Sequence, residues 1–84
     1  MPSHEKLFEH IMMRRGDANV PFDALSHLLR KIGFEERVKG DHHIFMMTGV
    51  EEILNLQPKS GKGKPYQVNQ VRKVILRYRL TLGD

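Results

Sequence analysis

The sequence predicts an α+β domain in which a three-stranded antiparallel sheet carries helices on one face. Three observations predict it. Residues 21–33 repeat apolar side chains at helical spacing, residues 34–57 change to short extended runs broken by glycine turns, and residues 66–80 return to a helical period. A chain of 84 residues reads as a single domain, residues 1–84, with residues 1–20 as an N-terminal helical extension and residues 21–80 as the core. Such a chain buries only about 60% of its unfolded surface. A large enclosed cofactor pocket is therefore not expected, and no cofactor is predicted; function belongs on an open face or in a shallow groove.

The first helix is expected to start after Ser3 as its cap and to run to Arg15, with Leu7, Phe8, Ile11 and Met12 on one stripe and Gly16-Asp17 ending it. It is expected to pack on the main body. The second helix has the clearest signal: Pro21 at the start, Asp23 near the positive N-terminus, and Gly33 as the stop. Between them Leu25, Leu28, Leu29 and Ile32 form one buried face. Phe34–Lys39 reads as a strand with Phe34, Glu36 and Val38 on one side, and Gly40-Asp41 as a tight turn. His42–Thr48 is a second strand, Gly49 a turn, and Glu51–Gln57 a third strand, which together make an antiparallel meander. Pro58 opens a loop, Lys59-Ser60-Gly61-Lys62-Gly63-Lys64-Pro65, read as flexible and cationic. The last helix runs from Tyr66 to Leu80, with Val68, Val71, Ile75 and Tyr78 as its apolar face, Lys73 and Arg77 opposite, and Arg72 and Arg79 at the flanks.

Setting the first helix aside, the order α-β-β-β-α is that of the double-stranded-RNA-binding-domain fold. Order alone does not assign an activity. The charge distribution adds to it. The chain has a formal net charge of +4, but residues 1–56 carry seven Lys/Arg against nine Asp/Glu, while residues 57–84 carry seven against Asp84 alone. Positive charge concentrated at one end of a chain suits contact with nucleic acid or with an acidic protein. There are no cysteines, which excludes disulfides, thiolate metal sites and cysteine nucleophiles. No apolar run approaches the ~20 residues that span a bilayer, and the N-terminus lacks the pattern of a signal peptide, so a cytoplasmic protein without membrane contact is expected.

Of the five histidines, His42 and His43 are adjacent on a strand and must point to opposite faces. Residues 44–47 are all apolar, so periodicity leaves two registers open: His43, Phe45 and Met47 outward, or Ile44 and Met46 outward. An outward His43 beside the basic loop and helix suits acid–base chemistry on RNA, because imidazole titrates near neutrality and RNA supplies its own 2′-hydroxyl nucleophile. The plain alternative is an ordinary surface histidine. Lys62, Lys64 and Lys73 are candidate phosphate contacts and Tyr66 a candidate base-stacking platform; a solvated loop and helix face is the alternative for these. His4, His10 and His27 read as solvent-facing helix residues, and recognised metal-ligand spacings are missing, so no metal site is predicted.

Phe22-Asp23-Ala24-Leu25 through Leu28-Leu29-Arg30-Lys31-Ile32-Gly33-Phe34, followed by Lys39-Gly40-Asp41-His42-His43-Ile44-Phe45, resembles the HicA-type mRNA interferase toxins. The closing stretch from Lys64-Pro65-Tyr66-Gln67-Val68 to Val71-Arg72-Lys73-Val74-Ile75-Leu76 is also similar to the C-terminal helix of one subgroup. The resemblance covers residues 22–80. It implies a double-stranded-RNA-binding-like fold, metal-independent cleavage of mRNA, and a catalytic histidine at the end of Gly-x-x-His, which is His43 here. It also implies a HicB-like antitoxin protein that binds the toxin and blocks its site. The outward register of His43 agrees with that role. Three departures stand out: Asp41 where many relatives have Ser, Gln57-Pro58 where many have His-Pro, and the helix before residue 16. A catalytically silent RNA-binding module and a protein-interaction domain are the alternatives from other classes.

Overall fold

The computed structural model describes residues 3–83; Met1, Pro2 and Asp84, which enter the domain bounds and the charge balance above, lie outside the described residues. Helix α1 spans His4–Met12, a 3₁₀ turn spans Asp17–Asn19, and α2 spans Phe22–Ile32. Strands β1 (Glu35–Lys39), β2 (His42–Met47) and β3 (Val50–Leu56) precede α3 (Pro65–Tyr78). The sheet is antiparallel throughout in the order β1-β2-β3. The expected element order therefore holds, and α1 ends three residues before Arg15. Among the described residues no helix is long and apolar enough to cross a membrane.

Local chemistry accounts for the helix ends. The Ser3 hydroxyl accepts from the Lys6 amide at 3.2 Å and caps α1. Helix α2 ends at Gly33, whose φ of +131° few L side chains adopt. The Gly33 and Phe34 amides both return to the Leu29 carbonyl, at 3.1 and 3.0 Å, and close the last turn. A Cβ at position 33 would also meet Met47 Cε at 3.3 Å. Gly33→Ala is therefore expected to destabilise the protein by about 1–3 kcal/mol; an unchanged urea midpoint would contradict this.

The core forms where α2 and α3 meet one face of the sheet, with α1 packed against these two helices. Ile11, Leu25, Leu28, Leu29, Phe45, Leu56, Val68 and Val71 are fully buried. Helix α1 contributes Leu7 and Ile11 to this cluster, so it packs on the body as its stripe predicts. Arg72, expected at the flank of α3, is instead 2% exposed. Its guanidinium donates to the Ile11 carbonyl at 2.7 Å and to Asn69 Oδ1 at 3.0 Å, and pairs with Asp17 in the 3₁₀ turn. One buried cation thus ties α3 to the α1–α2 connection, and it is withdrawn from the basic surface.

The outward register of β2 is overturned. Phe45 is fully buried, and it shares its face with His43 and with β3 residues Leu54 and Leu56. Ile44 and Met46 lie on the opposite, half-exposed face. The tight Gly40-Asp41 turn sets this arrangement: Gly40 takes φ +63° and pairs Lys39 with His42, hence Val38 with His43 and Glu36 with Phe45. Phe34, buried beneath the end of α2, carries Glu36, Val38 and therefore His43 to the helix side.

At the far end of α3 the Tyr78 hydroxyl donates to Glu52 at 2.6 Å and accepts from the Glu51 amide at 3.2 Å. The apolar-stripe reading of Tyr78 is thus only half the account, because its ring packs on the core while its hydroxyl ties α3 to β3. The phenol hydrogen bond holds the Glu52 carboxyl below its ordinary 4.5, and the same bond raises Tyr78 above its ordinary 10.0. The carboxylate contribution to stability is full above the unfolded value and is lost as pH falls through the lowered folded one. The tyrosine contribution is full below its unfolded value and is lost as pH rises through the raised one. The stability difference between the parent and Tyr78→Phe is accordingly expected to shrink in acid below 4.5 and in alkali above 10.0. A difference that stays constant across denaturant titrations over that range would refute it.

Candidate active site

His43 is the second residue of β2, and on the helix side of the sheet it sits beyond the fully packed core with its side chain 22% exposed. Its Nδ1 lies 2.7 Å from Oε2 of Glu36, whose side chain is 13% exposed. The two are diagonal neighbours across the β1–β2 ladder. A carboxylate only accepts, so Nδ1 donates to Glu36, and in the neutral imidazole the lone pair is then on Nε2. Among the described residues Nε2 has no hydrogen-bond partner.

One stripe of α2 frames this pair, at spacing i, i+4, i+8. The His43 and Phe22 rings make an edge-type contact, with centroids 4.7 Å apart and an interplanar angle of 67°. Ser26, 6% exposed, donates its hydroxyl to Glu36 Oε2 at 3.4 Å. Arg30 places Nε 3.6 Å from Glu36 Oε1. Three consecutive turns of α2 therefore hold the imidazole and its carboxylate.

The cationic loop is hydrogen-bonded along its backbone to the segment that precedes α2. Lys59 and Lys62 exchange backbone hydrogen bonds at 2.9 and 3.0 Å around Ser60-Gly61. The Phe22 amide donates to the Gly61 carbonyl and the Gly63 amide to the Val20 carbonyl, each at 2.9 Å. The loop is thus bonded along Val20–Phe22, the segment that presents Phe22 to His43, because its backbone groups find partners there instead of water. Lys62 is exposed opposite Pro21. Lys64 Nζ donates to Gln57 Oε1 at 3.4 Å, and Gln57 Nε2 donates to Asp41 Oδ2 at 2.5 Å. The Gln57 amide holds the Asp41 carboxyl below the usual carboxylate value. Asp41 is thereby engaged with Gln57 and with His42, 3.8 Å away, and Gln57 serves as a bridge from the β1–β2 turn to Lys64.

Behind this bridge the buried Gln67 amide lies against the Gln57 backbone, its two ends 3.1 Å from Gln57 O and N. That contact docks the first turn of α3, which carries Tyr66, 60% exposed. Lys73 is not brought to His43. It lines a groove with Glu52, Ile53, Leu54 and Gln70, nine residues and about 13 Å along the helix from Lys64. His42 faces the other side of the sheet, its Nδ1 donating to Asn55 Oδ1 at 3.0 Å, so the adjacent histidines diverge as strand geometry requires. Among the described residues no three His, Asp or Glu side chains cluster as metal ligands.

Sequence reasoning alone does not mark Glu36 or Phe22 as site residues, and it offers Ser26 only for a catalytic triad that no nucleophile-elbow pattern supports. The turn length held the signal for Glu36: a two-residue Gly40-Asp41 loop places position 43 on the same face as positions 34, 36 and 38. Ser26, a polar residue within the apolar stripe of α2, was a second signal. Comparison of the chain with protein-family models, with curated proteins and with solved structures returns no match.

Proposed function

We propose that this chain is a metal-independent endoribonuclease of the HicA kind, with a double-stranded-RNA-binding-like core, acting in the cytoplasm and neutralised by a HicB-like antitoxin. The observation that carries the reading is the His43 imidazole: its Nδ1 is bound to Glu36, its Nε2 has no hydrogen-bond partner among the described residues, and its ring meets Phe22, on the segment to which the Lys59–Lys64 loop is bonded. The sequence resemblance and the α-β-β-β-α order, with α2 and α3 on one face of the meander, support it further.

In this reaction His43 Nε2 takes the proton of an RNA 2′-hydroxyl as that oxygen attacks the adjacent phosphorus. The bond from phosphorus to the 5′ oxygen breaks, and the imidazolium returns the proton to that oxygen. The products are a 2′,3′-cyclic phosphate and a 5′-hydroxyl end. Lys62 and Lys64, from the bonded loop, are the cations suited to the charge that develops on the phosphate, and Tyr66 is the platform suited to a flanking base. Lys73 belongs to a more distant phosphate contact along α3.

The test is incubation of the parent chain with labelled RNA, and with DNA of the same sequence, in EDTA. Cleavage of RNA alone, leaving cyclic-phosphate and 5′-hydroxyl ends, is expected. Salt-sensitive binding with both substrates intact would replace this reading with a silent RNA-binding module.

A further inference from the structure

We infer that Glu36 is a positioning residue of this site, fixing the His43 tautomer so that Nε2, and not Nδ1, is the reacting nitrogen. The inference rests on the ribonuclease reading and adds a residue to it. A glutamate on the helix-facing side of a small sheet, 13% exposed, occupies ground where burial favours an apolar side chain. What holds it there is specific. Oε2 accepts from His43 Nδ1 at 2.7 Å and from the Ser26 hydroxyl at 3.4 Å, while Oε1 faces Arg30 Nε at 3.6 Å. Phe22 packs against the imidazole in a tilted, edge-type contact with ring centroids 4.7 Å apart. A histidine so held has one ring nitrogen occupied and the other presented, the arrangement in which a buried carboxylate orients a general base.

The donors around Glu36 make Glu36→Gln the informative variant. Gln has the same shape but one oxygen and one NH₂. Arg30 offers only donors, so the amide oxygen turns toward Arg30 and the NH₂ faces His43 Nδ1. That NH₂ requires an unprotonated Nδ1 and therefore moves the ring proton to Nε2, the nitrogen that has to accept. A role in packing or charge balance alone would not invert a tautomer.

Nitrogen-15 NMR of the full chain without RNA, at pH 8 where an ordinary imidazole is neutral, reads the tautomer directly. The parent is expected to show His43 protonated at Nδ1, Glu36→Gln at Nε2, and Glu36→Ala a mixture. In the RNA assay Glu36→Gln is expected to lower kcat about 10- to 100-fold, with KM within about twofold of the parent. An Nε2-protonated parent, an unchanged tautomer in well-dispersed Glu36→Gln spectra, or Glu36→Gln cleaving at the parental rate would each overturn the inference. Because the NMR measurement uses no RNA, a parent that fails to cleave removes the ribonuclease reading while the tautomer still decides what Glu36 does to His43.

Discussion

Replacing His43 is expected to lower the rate of RNA cleavage by about 10²- to 10⁴-fold, the range that positioned acid–base groups contribute. The variant needs care, because His43 also has structural neighbours. Alanine would remove the shorter of the two bonds to Glu36 Oε2 and the ring that meets Phe22, leaving a carboxylate 13% exposed short of a donor. His43→Gln keeps an N–H for Glu36 and fills much of the volume, yet offers no titratable nitrogen to substrate. The two variants together separate the effects. Loss of cleavage in His43→Gln at unchanged melting temperature assigns the chemistry to the imidazole. Cleavage by either folded variant within tenfold of the parent would remove His43 from the reaction.

The second large effect is expected from a residue outside the site. Arg72 is 2% exposed and satisfies Ile11, Asn69 and Asp17 at once. Asp17→Asn or Asp17→Ala leaves the guanidinium buried with its charge uncompensated, a change that costs about 3–5 kcal/mol. Arg72→Met removes the charge itself but leaves Asp17 without the guanidinium and the Ile11 carbonyl with the Arg14 amide as its remaining donor. Both changes together remove charge from both sides, so the double variant is expected to lose less than the sum of the singles. In a domain of this size each kcal/mol moves the melting temperature by roughly 4–8 °C, so circular dichroism during heating measures it easily. Single variants within about 1 kcal/mol of the parent, or strictly additive losses, would show that the pair does not act as a unit.

His43 and Arg72 illustrate how far the sequence could be read. The position of His43 at the start of β2, directly after the glycine turn, was legible because turn residues and strand period are local properties. Its face was not taken correctly, because four apolar residues in a row, Ile44 to Met47, carry no alternation. The correct face was nevertheless implied by Phe34, Glu36 and Val38 together with a two-residue turn, since pairing preserves the face across an antiparallel ladder. Arg72 gave no such clue. At the edge of an apolar helical stripe a cation reads as solvent-facing, and its burial becomes tolerable when Asp17 and the Ile11 carbonyl, both far away in the chain, join the neighbouring Asn69 as acceptors.

The sequence by itself determined the element order, the glycine stop at Gly33 and the apolar stripes of α1, α2 and α3. It also determined the concentration of cations after residue 57. These are short-range properties: backbone preference, side-chain period and composition. Tertiary structure alone decided which cations remain at the surface, that Lys64 bonds to Gln57 while Lys73 lines a groove with Glu52 and Leu54, and that the basic loop is bonded to Val20–Phe22. It also supplied Glu36, Ser26 and Phe22 as the setting of the imidazole. The physical reason is common to all of these. A buried polar group is stable only where a partner meets it, and which partner meets it depends on how α2 crosses the hairpin and how α3 returns over the sheet, not on the residues beside it in the chain.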